Sequence, residues 1–418
     1  MSNIITAIDI GSHKVSAVVT VVDESGKAKV IGESSHPSYG IKKGEITGIE
    51  EAINSIASAL NGAERMAGLT VSSAYVSING KNIISNNNKG VVAISDSEIL
   101  EEDVIRSLEQ ARTVAIPQAR EIIHLIPREF IVDQQTGIKN PVGMTGTRLE
   151  VDAHIISAPS TAIHNIERCV QSIGLKIDDI VFSGWASSHS VLTPTEKELG
   201  VLLLDVGGGT TTITTFVEDA VAYSSCIPFG GSNVTRDLAA GLRLFSLDDA
   251  EKVKVNANEL FRKAAMNKKK ENTDVIEIEE LGIEGAKTMS KKLFLEIMTD
   301  RIEEIFKLVV ENIEQAGNDA KLPAGVVITG GSASLPEITN IASKVFGVPA
   351  RVGSPRGLEG LTDSISSPAY ATLQGLVQHG LQDDHVSSSG SRFQKSGGIK
   401  SGAGMADKVI GFLKNLLP

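Results

Sequence analysis

The chain has 418 residues, a formal net charge of −11 and only 4% aromatic residues. A protein that grips a phosphate backbone needs a basic face, so this balance argues against nucleic acid as the main partner and fits a soluble cytosolic protein. The length exceeds one simple core, and two or more subdomains are expected.

The chain opens on Ile4-Ile5-Thr6-Ala7-Ile8, an apolar run that Asp9 interrupts. No basic segment precedes it, so it reads as a strand and not as a signal peptide. With Gly11-Ser12-His13 as the turn, residues 4–22 read as a β-hairpin. Ile49, Ile53, Ile56, Ala57 and Leu60 recur at helical spacing, which predicts a helix from Ile49 to Gly62. A short strand follows at Ala74–Ile78, and the alternation suggests an α/β core. After Gly80 the character changes. Asn86-Asn87-Asn88-Lys89-Gly90 reads as a turn, and Ser95 with Glu98 as a capping box for a helix through Ile105, Leu108 and Ala111. Strands near Ile122–Val132 and Leu149–Ile156 complete a β-α-β-β unit with no phosphate turn and no acid–base pair. A helix at Ala162–Ile173, a strand at Ile177–Phe182 and a further helix at Ala186–Leu192 follow.

The most informative stretch comes next. Gly200-Val201-Leu202-Leu203-Leu204-Asp205-Val206-Gly207-Gly208-Gly209-Thr210-Thr211-Thr212-Ile213 repeats the order of the N-terminus: buried strand, acid, glycine turn, second strand. The two copies lie roughly half the chain apart, which suggests an internal duplication. Glycines let a turn aim several N–H groups at one anion, and the acid before each turn suits a hydrated Mg²⁺. A third glycine turn, Thr329-Gly330-Gly331-Ser332-Ala333, ends the strand Gly325–Thr329 and opens a helix from Leu335 to Phe346. Two hairpins facing each other would clamp a polyphosphate while the third turn holds base or ribose. Taken alone, the Gly200–Ile213 stretch has a bland alternative, a tight hairpin with an incidental Asp. Neither a P-loop nor a post-strand G-x-G-x-x-G is present.

Between these turns, Ile227–Ser232 leads into a helix with Ser232 as its cap, and Ser246–Asn256 reads as a short helix. Arg262–Glu280, with Lys268-Lys269-Lys270, reads as a solvated loop or hairpin. Ser290–Ala316 is the longest helical pattern, with Leu293, Ile297, Ile302, Ile305, Leu308, Val309 and Ile313 on one face. Pro368–Leu381 is read as a last helix. From Asp383 to Gly404 the chain turns to Ser and Gly, a flexible tether. Cys169 and Cys226 lack metal or redox spacing, which fits a reducing compartment. No stretch reaches the roughly 18 apolar residues of a spanning helix, so any membrane contact is peripheral. Met405–Leu417 is amphipathic: Met405, Val409, Phe412, Leu413, Leu416 and Leu417 share a face opposite Asp407, Lys408 and Lys414. It suits a membrane surface, or alternatively a groove on the protein's own body or a partner helix.

The three turns resemble the actin-like ATPase superfamily of actins, sugar kinases and heat-shock chaperones. Ser183-Gly184-Trp185-Ala186-Ser187-Ser188-His189-Ser190-Val191-Leu192-Thr193, running on through Glu198-Leu199-Gly200 into Asp205-Val206-Gly207-Gly208-Gly209, is similar to FtsA. So are Gly357-Leu358-Glu359-Gly360-Leu361-Thr362-Asp363 and Pro368-Ala369-Tyr370-Ala371-Thr372. FtsA is the bacterial division family that tethers FtsZ filaments to the membrane. The resemblance implies an α/β, actin-like two-lobed ATPase fold with duplicated ribonuclease-H-like cores. It covers roughly residues 1–380 and the last dozen, and divides them into a first lobe (1–82 and 163–198), an inserted subdomain for subunit contacts (83–162), a second-lobe core (199–235 and 325–382), an outer subdomain (236–324) and a membrane-targeting helix (405–418), with Ala186–Leu192 and Pro368–Leu381 as hinge helices between the lobes; the Ser/Gly linker (383–404) has no family pattern. Without the resemblance, the 83–162 unit is an ordinary α+β insertion.

The resemblance also assigns the site. Asp9 and Asp205 would hold Mg²⁺ through water. Gly11, Ser12 and His13 would offer N–H groups to the phosphates of ATP, and Lys14 a point charge. The family usually has Ser or Thr at His13, which is equally readable as an exposed turn residue. Gly207, Gly208, Gly209, Thr210 and Thr211 would hold the β and γ phosphates, although the family often has Asp where Thr212 stands. Gly230, Gly231, Glu251, Lys254, Gly330, Gly331 and Ser332 form the purine–ribose set, with a surface ion pair as the alternative for Glu251 and Lys254. Where actins carry a water-orienting Gln, the chain reads Phe182-Ser183-Gly184-Trp185, so ATP binding with slow or no hydrolysis is expected. Lys291, Lys292 and Arg301 are the cations for the acidic FtsZ C-terminal peptide, or else solvated face residues. Further partners are a second copy in a head-to-tail filament, membrane lipid at the inner face of the division site, and other division proteins. Two alternatives compete: a pilus-assembly scaffold of similar fold, and a small-molecule kinase, for which no catalytic carboxylate with sugar-binding groups is found.

Overall fold

The computed structural model describes residues 3–96, 98–113, 119–266, 274–283, 286–317 and 321–389. The Lys268–Lys270 run and the whole Met405–Leu417 segment lie outside the described residues.

The first lobe begins with β1 (Asn3–Ile10), β2 (Lys14–Val22) and β3 (Ala28–Pro37), an antiparallel meander. A small hairpin of β4 (Ile41–Lys42) and β5 (Glu45–Ile46) precedes α1 (Ile49–Ala67). The predicted end at Gly62 is five residues short. Gly62 packs against Ser34, where a Cβ would sit 2.2 Å from the hydroxyl, and the helix stops at Gly68 with φ 71° instead. β6 (Ser73–Ile78) pairs parallel to β1.

The inserted unit comprises β7 (Ile84–Ala93), α2 (Glu101–Arg112), β8 (Arg120–Val132), β9 (Gln135–Ile138) and β10 (Arg148–Pro159), with strand order β7-β10-β8-β9. Two expectations fail here. The Asn86–Gly90 stretch is the middle of β7, not a turn. Its polar side chains have partners: Asn87 Nδ2 donates to Ala222 O and Asn88 Nδ2 to Ala111 O, while Gly90 lies directly under α2. Ser95 and Glu98 do not cap α2; Leu100 is the N-cap, and its N–H donates to the Asp103 carboxylate at 2.9 Å. The unit has its own core, including Val92, Leu108, Phe130 and Leu149.

The chain returns through α3 (Ser160–Ser172), β11 (Lys176–Phe182) and α4 (Ser183–Val191). After α5 (Pro194–Leu199), capped reciprocally by Thr193 and Glu196, come β12 (Val201–Val206), β13 (Thr211–Val217) and β14 (Ala220–Ile227). Next are α6 (Gly231–Gly241) and α7 (Leu247–Met266). Gly230, not Ser232, is the N-cap of α6: the helix already begins at Gly231, and the Asn233 N–H donates to Gly230 O at 2.9 Å. α7 runs ten residues past Asn256, whose amide bonds back to Lys252 O within the helix. β15 (Val275–Glu277) and β16 (Thr288–Ser290) make a short ribbon before α8 (Lys291–Gln315), capped by Ser290. The buried face of α8 is Phe294, Met298, Ile302, Ile305, Phe306 and Val309, with Leu293 outside it, 39% exposed. β17 (Val326–Thr329), a 3₁₀ turn at Gly331–Ser334, α9 (Ile338–Phe346), β18 (Ala350–Val352) and β19 (Glu359–Gly360) lead to α10 (Ala371–Ser389). α9 starts three residues after Leu335 because that turn intervenes. α10 continues past Asp383 into the stretch read as tether, since no Gly or Pro stands between Leu381 and Ser389.

The two large sheets repeat one plan: β11-β6-β1-β2-β3 in one and β18-β17-β12-β13-β14 in the other, with β19 added at the edge of the first. In each, an antiparallel meander is extended by two parallel strands. The registers match as well. Asp9 pairs with Ser16, and Asp205 with Thr212, each one step before the turn. The duplication read from sequence is therefore a duplication of fold.

Candidate functional site

The carboxyl ends of β1, β6, β12 and β17 converge on a cleft of about 460 Å³ between the lobes, the size of a pocket for a nucleotide-sized ligand. Its walls contain Asp9, Gly11, Ser12, His13, Lys14, Asp205, Gly207, Gly208, Thr210, Glu251, Lys254, Gly330, Gly331 and Ser332. The turns of the two lobes touch. A Cβ on Gly208 would stand 2.9 Å from His13 Cβ, and one on Gly209 2.9 Å from Ser12 Cβ. Glycine is needed there for close approach, not for an unusual φ.

Each acid is held by one hydroxyl. Ser77 Oγ donates to Asp9 Oδ1 at 2.8 Å, and Thr372 Oγ1 to Asp205 Oδ2 at 2.9 Å. Burial, then the charge of Asp9, pushes the Asp205 carboxyl up to about 7, against the Thr372 hydrogen bond. Burial likewise raises Asp9, opposed by Ser77 and by Lys14. Two desolvated carboxylates that repel one another are a fitting donor set for a hard, hydrated divalent cation. Lys14 lies with Nζ 3.1 Å from the centroid of the Tyr370 ring, and burial lowers its pKa.

Glu251 and Lys254 form their pair, but not on the surface. Lys254 Nζ is buried 2.7 Å from Glu251 Oε2 and also donates to Thr235 Oγ1 and Gly231 O, while Thr235 donates to Glu251. Four predicted residues are outside the cleft wall. Thr211 is fully buried with its hydroxyl on Phe229 O. Gly230 and Gly231 instead brace the second turn from behind: Gly231 N–H donates to Gly207 O, and a Cβ on Gly230 would meet that oxygen at 2.6 Å. Gly209 abuts Ser12 without lining the cavity.

Family models match two parts of the chain: the SHS2 domain inserted in FtsA over residues 80–157, and cell division protein FtsA over residues 202–375. Cell division protein FtsA of Pseudomonas aeruginosa is 38% identical over 378 residues, 90% of this chain and 89% of that protein. The chain belongs to the FtsA family of cell division proteins. Its role is thus in cell division. Solved structures share the actin-like two-lobed fold of the FtsA family. The PilM–PilN type IV pilus biogenesis complex superposes with a TM-score of 0.62 at 14% identity, over 90% of this chain and 98% of that one. MreB5 of Spiroplasma citri bound to ADP gives 0.53 at 13%, over 92% and 98%. At such identities only the fold is shared, so the pilus-scaffold alternative gains nothing against the family assignment.

Sequence reasoning missed several cleft residues of this FtsA-family chain. Asn79 directly follows β6 and spans the lobes, its Nδ2 donating to Thr212 Oγ1 at 2.7 Å and Thr210 Oγ1 at 3.3 Å. Its position at the carboxyl end of a parallel strand was the available signal. Ser183, bonded to Ile78 O, and Thr372 also line the cleft. Among the proposed partner cations, Arg301 has partners within the chain. Its guanidinium is already engaged by Asp237 of α6, through Nε and through Nη2 at 3.1 Å, and by Glu304 at 2.7 Å. Lys291 sits 5.0 Å from the Phe261 ring centroid, and Lys292 remains exposed. Among the described residues no helix is long and apolar enough to cross a membrane.

Proposed function

We propose that the interlobe cleft binds Mg-ATP and holds it without rapid turnover. The observation that carries this is the pair of Asp–Gly hairpins in matching register, facing each other across one cavity with the Gly330–Gly331 turn beside them. In this reading Asp9 and Asp205 hold the hydrated cation, which screens phosphate charge when bound. Gly11, Ser12, His13, Gly207, Gly208 and Thr210 face the phosphates, and Glu251, Lys254, Gly331 and Ser332 the ribose. Val255, 69% exposed on the cleft rim, offers apolar surface to the base. The ADP bound in the Spiroplasma citri neighbour supports a nucleotide ligand. Slow hydrolysis follows from the acids: Asp9, Asp205 and Glu251 each accept a hydrogen bond from a neighbouring side chain and are poorly disposed to activate water. Melting with and without Mg-ATP tests the reading, since ligand at 100 times its Kd stabilises by about 2.7 kcal/mol. An unchanged shift in Asp205→Ala would overturn it.

The finer division role rests on the family. In this reading the chain is an ATP-loaded, head-to-tail filament at the inner face of the membrane at the septum. The 83–162 insert touches the next subunit, and the 236–324 subdomain receives the FtsZ C-terminal peptide, with Lys292 the most available of the three cations. The 383–404 linker and 405–418 helix attach the filament to lipid and help recruit other division proteins. One short amphipathic helix binds weakly, and many along a filament bind strongly through effective concentration. Replacing Phe412 and Leu416 with Glu together should leave the protein in the supernatant of a liposome sedimentation assay with ATP binding intact; continued pelleting would remove the anchor from this account.

A further inference from the structure

Three side chains outside the cleft wall make a second constellation. Asp179 lies on β11, while His379 and Asp383 stand one turn apart on α10. One ligand-type atom from each falls within 4.8 Å of the other two. His379 Nε2 is 3.2 Å from Asp179 Oδ2 and 3.9 Å from Asp383 Oδ2. Two features aim Asp179 inward. The pairing of β11 with β6 shifts register between Ile177 and Asp179, a bulge of the kind that redirects a side chain. The Ile180 N–H then donates to Asp179 Oδ1 at 2.9 Å, which leaves Oδ2 turned toward His379.

We propose that Asp179, His379 and Asp383 form a divalent-cation site of the Zn²⁺ class. Tetrahedral zinc with bonds of about 2.0–2.1 Å needs neighbouring donors about 3.3 Å apart, so the Asp179–His379 spacing already suits it. Asp383 closes the remaining gap by a side-chain rotation. Its side chain is 29% exposed against 12% for Asp179 and 13% for His379, so the site opens to water on the Asp383 side, where a fourth ligand enters. The imidazole separates this site from the all-oxygen cleft acids: it favours Zn²⁺ over Mg²⁺. The His379 ring is held edge-on to Tyr75 and His124, with ring centroids at 6.0 and 6.2 Å. Such packing restricts the ring before any ion arrives.

The position gives the ion a mechanical effect. Thr372 at the start of α10 hydrogen-bonds Asp205, and His379 lies seven residues on, about 10 Å along the helix. A bound ion would clip the far part of α10 to the first-lobe sheet, while the near end stays on the cleft acid.

The test is Zn²⁺ titration of the full chain against a chromogenic chelator, with excess Mg²⁺ present, alongside Co²⁺ absorption for a tetrahedral site. Wild type should bind one ion more than Asp179→Asn or His379→Gln, and Asp383→Asn should weaken that site at least tenfold. Circular dichroism checks that each variant is folded; Asp383→Asn, on the most exposed ligand, keeps the test valid if the others are not. Equal stoichiometry and affinity in wild type and Asp383→Asn would overturn the proposal and leave His379 and Asp179 as a hydrogen-bonded pair only. Zinc that Mg²⁺ displaces completely would also overturn it, by assigning the ion to the cleft.

Discussion

Asp205→Asn should make the ligand-free protein more stable while removing its response to Mg-ATP. The folded-state carboxyl titrates at about 7 against an ordinary 3.8. Between those values the folded state holds a proton that the unfolded state has lost, so stability falls as pH rises through that window and stays low above it. At 1.36 kcal/mol per unit the full shift corresponds to about 4 kcal/mol. Part of the shift comes from the charge of Asp9, which stays buried in the variant, so one amide recovers about 1–2 kcal/mol. The amide oxygen still accepts from Thr372, and the volume is unchanged. For a lobe of this size that is about 2–8 °C in Tm. The assay is a melting series from pH 4 to 8 in EDTA, repeated at pH 8 with Mg-ATP. Wild type should lose Tm between pH 4 and 7, and the variant should lose less and melt higher at pH 8. With Mg-ATP the order should reverse. A variant less stable than wild type at pH 8 in EDTA would refute the claim that the acid is held against its own electrostatics.

Gly330→Ala places a Cβ 2.3 Å from Asp205 Oδ1 on a backbone with φ 85°, so the Mg-ATP melting shift should vanish with a stability loss of about 2–3 kcal/mol. Gly90→Ala would put a Cβ 1.8 Å from Ser107 O; limited proteolysis should show α2 loosened, at a cost of about 1–3 kcal/mol, with nucleotide response retained. Arg301→Ala and Asp237→Ala should each destabilise by about 1 kcal/mol, and a double-mutant cycle should show their coupling. An additive cycle would free Arg301 for a partner carboxylate.

What the sequence determined by itself was local and repeated. Each Asp–Gly hairpin needs only a buried strand, an acid and small turn residues within about 20 positions, and the second copy confirmed the first by the same local physics. Helices with one apolar face, such as α8, were legible for the same reason. Tertiary structure decided whatever depends on a partner distant in sequence. Asn86–Gly90 has turn composition, yet it is strand because α2 and β14 supply partners for its amides and a surface that only glycine fits. Gly62 resembles a helix end, yet α1 continues because Ser34 occupies the space of a side chain there. Asn79, Thr372 and Ser77 are unremarkable polar residues until the fold sets them on the opposite lobe's hairpin or on the two acids. Arg301 read as an available cation until packing of α6 on α8 gave it Asp237. Asp179 and His379 stand 200 positions apart and met only when α10 crossed β11. Backbone propensity and hydrophobic period act over one or two turns of chain, whereas hydrogen-bond satisfaction and close approach are settled by whichever segment the fold brings alongside.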